Sequence, residues 1–309
     1  MANKDLLSIY DLSNKEEIKN LLKKAFELKS KKKYLDIFRG KCLGIMLEKP
    51  STRTMVSFAV AMAQLGGTPI FLTAEKMQCS RGESIYDTSK VLSKYLNGLM
   101  IRAFKHEDVL EFSKHCSIPV INGLTDYEHP CQVLADIMTV MELFKTKTVE
   151  ALKKIKIVYI GDSNNIANSL IAISAILGLD LTVISPLEYQ VKNEILKQTL
   201  QYTPKTRAEI KVTSDVNYAK NADVIYTDVW TSMGFDSEKV KRKKMFAPYQ
   251  VNSELLKIAS SNCIVLHCLP ALRGEEITSD IMKKCENSIF TQAENRLYAQ
   301  KAVLLHFIK

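Results

Sequence analysis

The 309 residues are 46% apolar and 25% charged, the mixture of a soluble globular chain, which excludes disordered and collagen-like polymers. The length exceeds one ordinary core and fits two domains of about 150 residues each. A formal charge of +9, from 43 basic against 34 acidic side chains, suits an anionic partner: nucleic acid, a membrane surface or a small substrate.

Short apolar runs alternate with helical patterns along the chain, the signature of parallel sheets with crossover helices. After a helix over 14–31, the apolar run 42–47 reads as a buried strand. Pro50 forces a turn, and a helix follows to about Gln64 with Ser51 as its N-cap. Further strands are expected near 68–72, 98–102 and 118–121, with helices over 84–96, 106–115 and 131–144. Lys145-Thr-Lys-Thr reads as an exposed connection, so the domains are expected to span 1–146 and 147–291. The second opens with a strand at 155–160, then a helix, and strands near 181–184, 209–212, 222–226 and 263–267. A helical segment, 292–309, ends the chain. The expected fold class is α/β: two tandem open parallel sheets with helices on both faces.

The start, Met-Ala-Asn-Lys-Asp, has no apolar segment behind it that reads as a secretory or transit peptide, so a cytosolic location is expected. The longest apolar segment, 166–184, is broken by Asn168, Ser169 and Asp180. It reads as a helix, a Gly178 stop and a strand rather than a membrane span. Seven cysteines at 42, 79, 116, 131, 263, 268 and 285 form no C-x-x-C pair. That spacing fits neither a zinc site nor a disulfide framework, so reduced thiols and no metal are expected. The densest basic runs, 29–33 and 239–244, have only Tyr34 beside them, so no base-stacking platform accompanies them and no nucleic-acid partner is expected.

Ligands of open α/β sheets bind beyond the carboxyl ends of the strands. Ser51-Thr52-Arg53-Thr54 sits there at a helix mouth. Unpaired backbone N–H groups, three hydroxyls and a guanidinium suit a phosphate. Arg102 ends another strand, and His129-Pro130-Cys131-Gln132 opens the next helix, with Pro130 in its first turn. His129 and Gln132 beside two arginines can hold an anion together with the carbonyl and amide attached to it. Gly161-Asp-Ser-Asn-Asn offers one glycine where a dinucleotide site needs three, so no such cofactor is expected. Asp228, at a strand end before a loop through Gly234, can pair an ammonium. His267-Cys268-Leu269-Pro270 presents carbonyls and a thiol; it is not a nucleophile-base pair, because neighbours on a strand point to opposite faces.

Taken together, Ser-Thr-Arg-Thr at 51–54, His-Pro-Cys-Gln at 129–132, Asp-Val-Trp-Thr-Ser-Met-Gly at 228–234, His-Cys-Leu-Pro at 267–270 and Ala-Glu-Asn-Arg at 293–296 carry a resemblance. The chain resembles the aspartate/ornithine carbamoyltransferase family over essentially its whole length. The Ser-Met-Gly loop points to the ornithine branch; another amine acceptor, such as putrescine or N-acetylornithine, is the alternative.

The resemblance implies a role for each position. Ser51, Thr52, Arg53, Thr54 and Arg296 would hold the phosphate of carbamoyl phosphate, and Arg102, His129 and Thr54 its carbonyl oxygen. Gln132 and the backbone carbonyls near Cys268 and Leu269 would receive the carbamoyl amide. Asn165, Asp228, Ser232 and Met233 would bind the amino-acid end of L-ornithine. Arg53, Arg102, His129 and Cys268 are the catalytic candidates. A role for Arg296 requires the last helix to return to the first domain. Gln78 matches a position that the family inserts into a neighbouring subunit's site, which implies a homotrimer. No cofactor is implied. Met55 departs from the family, which usually has a second arginine there. Two rivals remain: a basic nucleic-acid-binding protein, which leaves the strand-end motifs without purpose, and an inactive scaffold, which the intact motifs oppose.

Overall fold

Five strands whose residues are buried along most or all of their length mark sheets covered on both faces, the environment that parallel strands require. The computed structural model describes residues 5–308 apart from 13, 32–34, 74–76, 78–81 and 232–237. Gln78, Ser232 and Met233 therefore lie outside the described residues. The chain divides into two units: Met1–Met138 with Glu294–Lys309, and Thr139–Ala293.

The first unit runs α1 (Lys15–Lys31), β1 (Cys42–Leu47), α2 (Thr52–Gln64), β2 (Thr68–Thr73), α3 (Ile85–Tyr95), β3 (Gly98–Arg102), α4 (His106–His115) and β4 (Val120–Leu124), then enters α5 (Pro130–Leu143). Its sheet has the order β2-β1-β3-β4, all parallel. Leu99, Ile101, Val109, Phe112 and Val120 form part of its core. β4 begins two residues later than expected. Pro119 has no N–H to give a ladder, and its carbonyl instead accepts from Leu99 N–H at 2.9 Å. The β3–β4 register slips between Ile101 and Arg102, where Arg102 pairs with Leu124 instead of Gly123. Such a bulge re-aims the side chain beside it. A Cβ at Gly123 would collide with Met100, so glycine suits the crowded turn of the chain.

The second unit contains β5 (Ile157–Ile160), α6 (Asn165–Leu177), β6 (Leu181–Ile184), α7 (Asn193–Thr199), α8 (Thr203–Thr206), β7 (Ile210–Thr213), β8 (Val224–Thr227), α9 (Lys239–Phe246), α10 (Ser253–Ile258), β9 (Ile264–His267) and α11 (Ser279–Lys284). Its parallel sheet has the order β7-β6-β5-β8-β9. Val158, Ile160, Ile225, Val265 and Ile281 lie in its core. Gly178 stops α6 in the left-handed region at φ 75°, where a Cβ would also lie 2.7 Å from Thr206 O. The last helix, α12 (Glu286–Phe307), starts in the second unit and returns to the first from Glu294 onward.

Each sheet reverses its strand order once, between β1 and β3 in the first unit and between β5 and β8 in the second. Side chains that follow these strands face the crevice where open α/β sheets bind ligands.

Candidate active site

In the first unit, the turn after β1 delivers Ser51 in an extended conformation, and its hydroxyl accepts from Thr54 N–H at 3.3 Å. No acidic residue occupies the first turn of α2 to offset the positive end of that helix. Arg53 is half-buried and Thr52 exposed at this mouth. Thr54 is fully buried, and its hydroxyl oxygen receives two guanidiniums: Arg296 Nη2 at 2.8 Å and Arg102 Nη1 at 3.4 Å. Helix α2, strand β3 and the returning α12 thus meet at one oxygen. Arg102 and Arg296 are themselves 9% and 3% exposed.

His129 immediately precedes Pro130, the first residue of α5, and is buried. Burial, and then the charges of Arg296 and Arg102, hold it well below the ordinary imidazole value. At neutral pH the ring is uncharged and offers one N–H donor. Burial pushes Cys131 up to about 12, so its thiol is not a nucleophile. Lys49 is lowered by burial and by Arg102, and its ammonium lies 4.3 Å from the centre of the Phe104 ring. Gln132 is fully buried, with Nε2 donating to Asp136 Oδ1 at 2.8 Å. Glu128 ties this turn to the start of the chain, accepting from Ser8 Oγ at 2.5 Å and from Ile9 N–H at 3.0 Å.

In the second unit Asp228 leaves the end of β8 and is 6% exposed. Asn164 Nδ2 donates to its Oδ2 at 2.8 Å, and Cys268 Sγ lies 3.1 Å from its Oδ1. Asn164 is also the N-cap of α6, accepting from Ile166 N–H and Ala167 N–H. Asn164, which the sequence reading did not single out, is thus a side chain that holds Asp228. The cap preference for asparagine just before a helix was the signal available for it.

Cys268 and Leu269 follow β9. Leu269 has φ 60° and a cis bond to Pro270. Its N–H donates to His267 Nδ1 at 2.9 Å, which leaves the ring proton on Nε2, 3.0 Å from Glu276 Oε1. Leu272 N–H donates to the same carboxylate oxygen at 2.6 Å, and Gln292 accepts from His267 N–H at 2.8 Å. The ligand atoms of Asp228, His267 and Cys268 lie within 4.8 Å of one another, a spacing a metal ion can span. Both ring nitrogens of His267 are already engaged, so this ring serves the turn rather than a metal.

Arg242, on α9, braces the segment after Asp228. Its Nη1 donates to Trp230 O at 2.9 Å and to Asp162 Oδ2 at 2.8 Å, and its Nε to Glu238 Oε2 at 3.0 Å. Burial raises Asp162 to about 6 against the pull of that guanidinium. Neither Arg242 nor Asp136 was singled out in the sequence, since a lone arginine in a basic run and an acid on a helix carry no local mark of burial.

The two units define an α/β protein with a cationic cluster beyond one sheet and an acidic cluster beyond the other. Residues 4–142 match the sequence family described as aspartate/ornithine carbamoyltransferase, carbamoyl-P binding domain, and residues 153–307 the corresponding Asp/Orn binding domain. An ornithine carbamoyltransferase of Methanosphaera stadtmanae is 48% identical, over 99% of each chain. One from Bacillus cereus is 50% identical, over 100% of this chain and 96% of its own. Among solved structures, the anabolic ornithine carbamoyltransferase of Campylobacter jejuni superposes with a TM-score of 0.93 at 37% identity, covering 99% of both chains. The Pyrococcus furiosus enzyme gives 0.92 at 43%, covering 99% of this chain and 97% of its own. The chain belongs to the aspartate/ornithine carbamoyltransferase family and is a carbamoyltransferase. No helix among the described residues is long and apolar enough to cross a membrane.

Proposed function

We propose that this protein transfers the carbamoyl group of carbamoyl phosphate to the side-chain amine of L-ornithine, giving L-citrulline and phosphate, as a step of arginine metabolism in the cytosol. The observation that carries the reading is the convergence of Arg102 and Arg296 on Thr54 at the N-terminus of α2, beside a neutral His129. The names of the relatives supply the acceptor.

In this mechanism the phosphate lies on Ser51, Thr52, Arg53, Thr54 and Arg296. The carbonyl oxygen takes hydrogen bonds from Thr54, Arg102 and His129, and the carbamoyl amide meets Gln132 and the carbonyls at Cys268 and Leu269. Asn165, Asp228, Ser232 and Met233 hold the amino-acid end of ornithine, with Asp228 on the α-ammonium. The neutral δ-amine attacks the carbonyl carbon, and negative charge gathers on its oxygen. Each well-placed donor there lowers the barrier by about 3 kcal/mol. The new C–N bond forms, the bond from the carbonyl carbon to the oxygen it shares with phosphorus breaks, and the electron pair leaves with the phosphate, which also takes up the surplus proton of the attacking nitrogen and whose charge Arg53 offsets. An uncharged His129 fits the donor role, since one N–H is what the oxygen needs. Holding amine and carbonyl at reacting distance supplies much of the remaining acceleration.

The assembly we assign is a homotrimer in which Gln78 serves a neighbouring subunit. Phe71 on the edge strand β2, Val56 on α2 and Tyr95 on α3 are exposed apolar side chains, at 54%, 47% and 72%, that a subunit contact could cover. The test of function is citrulline formation, or the corresponding ureido product, with ornithine, putrescine, N-acetylornithine and aspartate offered in parallel. Ornithine is expected to dominate; turnover confined to another acceptor overturns the assignment.

A further inference from the structure

We propose that Asp136 is a positioning residue that makes the site choose a carbamoyl group over an acyl group of the same shape, by holding the Gln132 carboxamide in one orientation. The proposal rests on the assignment of Gln132 to the carbamoyl amide. A carboxamide side chain presents an oxygen on one side and an NH2 on the other, and half a turn about its last bond exchanges them. Gln132 alone can thus meet a ligand with either an acceptor or a donor. Asp136 stands one helical turn further along α5, and its Oδ1 accepts from Gln132 Nε2 at 2.8 Å. With Oδ1 accepting, the NH2 of Gln132 faces Asp136 and its Oε1 is turned away from it.

Both side chains are buried, at 0% and 1% exposure. Gln132 Oε1 has no hydrogen-bond partner among the described residues. Buried acceptors are seldom left in this condition unless a ligand or water completes them. The orphaned oxygen lies on the first turn of α5, directly after His129, where a ligand N–H can complete it. The carbamoyl NH2 is such a donor. The methyl of an acetyl group has the same size and no proton to give, so it leaves the oxygen unpaired, and sites built this way reject the analogue that lacks the hydrogen bond. Ordinary i,i+4 pairs on a helix surface compete with water; both members of this one are buried.

The test uses two unreactive ligands, phosphonoacetamide and phosphonoacetone, which differ by NH2 against CH3, titrated calorimetrically into the full-length protein. Wild type is expected to favour the amide at least tenfold. Asp136→Leu, of similar volume with no acceptor, should lower that ratio at least fivefold; Asp136→Asn, which keeps one acceptor, should lower it at least twofold. Gln132→Met should bring the ratio near one, and adding Asp136→Leu to Gln132→Met should change it no further, because the choice between the two ligands runs through the Gln132 carboxamide. A ratio unchanged in Asp136→Asn and Asp136→Leu, with both ligands weakened equally, overturns the proposal in favour of a purely structural acid. If Asp136→Leu does not fold, the Asn variant decides alone. Equal wild-type affinity for the two ligands sinks the orientation argument by itself, whereas binding of neither phosphonate overturns the carbamoyl-phosphate assignment beneath it.

Discussion

Replacing Asp228 by asparagine tests the acceptor half of the mechanism with little change of shape. The carboxylate is 6% exposed and held by Asn164 on one oxygen and Cys268 on the other. In Asp228→Asn, the introduced amide oxygen can still accept from Asn164 Nδ2 while the new NH2 turns to the Cys268 sulfur, a weak acceptor. Folding stability should therefore fall by no more than about 1 kcal/mol. Binding is another matter. A charge-assisted hydrogen bond from an α-ammonium to a buried carboxylate contributes about 1.5–3 kcal/mol, and each 1.4 kcal/mol is about tenfold in affinity. Titration of norvaline, which has the α-amino acid and lacks the reacting amine, into protein saturated with carbamoyl phosphate should show more than tenfold weaker binding. Carbamoyl phosphate alone should bind as in wild type. Equal norvaline affinity in the two proteins would refute the reasoning and leave Asp228 as a cap for the segment that follows it.

Arg53→Ala should remove about 3 kcal/mol of transition-state stabilisation, chiefly as lost turnover; normal turnover with a raised ornithine KM contradicts the phosphate role. Arg242→Met leaves Asp162 buried without its cation and should cost about 3–5 kcal/mol. Asp162 already has a raised value of about 6. A raised acid favours the fold below its unfolded value near 3.8 and loses that contribution as pH rises through the folded one. Removing Arg242 raises it further, so the loss in melting temperature should be larger at pH 8 than at pH 5; an equal loss at both argues against the ion pair. Mixing inactive Arg53→Ala subunits with inactive Gln78→Ala subunits should restore activity once hybrid rings form. Verified hybrids without activity would place each site within one chain.

Much of this was legible along the chain because it depends on neighbours in sequence. Apolar runs bounded by turns gave the strands, Ser51 and Pro130 marked two helix starts, and Gly178 marked a stop. Each of these needs only backbone sterics and the hydrogen bonds a helix end leaves open. The same local logic placed Ser51–Thr54, Arg102, His129 and Asp228 at strand ends, where the parallel sheets put them.

What tertiary structure alone decided depends on contacts between distant residues. Arg296 lies 242 positions from the threonine hydroxyl it shares with Arg102, and no periodicity in α12 records that meeting. Charge and burial are likewise properties of the surroundings. The neutrality of His129 comes from desolvation and two guanidiniums carried by different elements, and the elevated Asp162 from burial that its own loop does not reveal. Gln132 and Asp136 are an unremarked pair four residues apart until both are enclosed. Only then does the direction of a single amide acquire a free-energy consequence, because a buried acceptor without a donor has no water to fall back on.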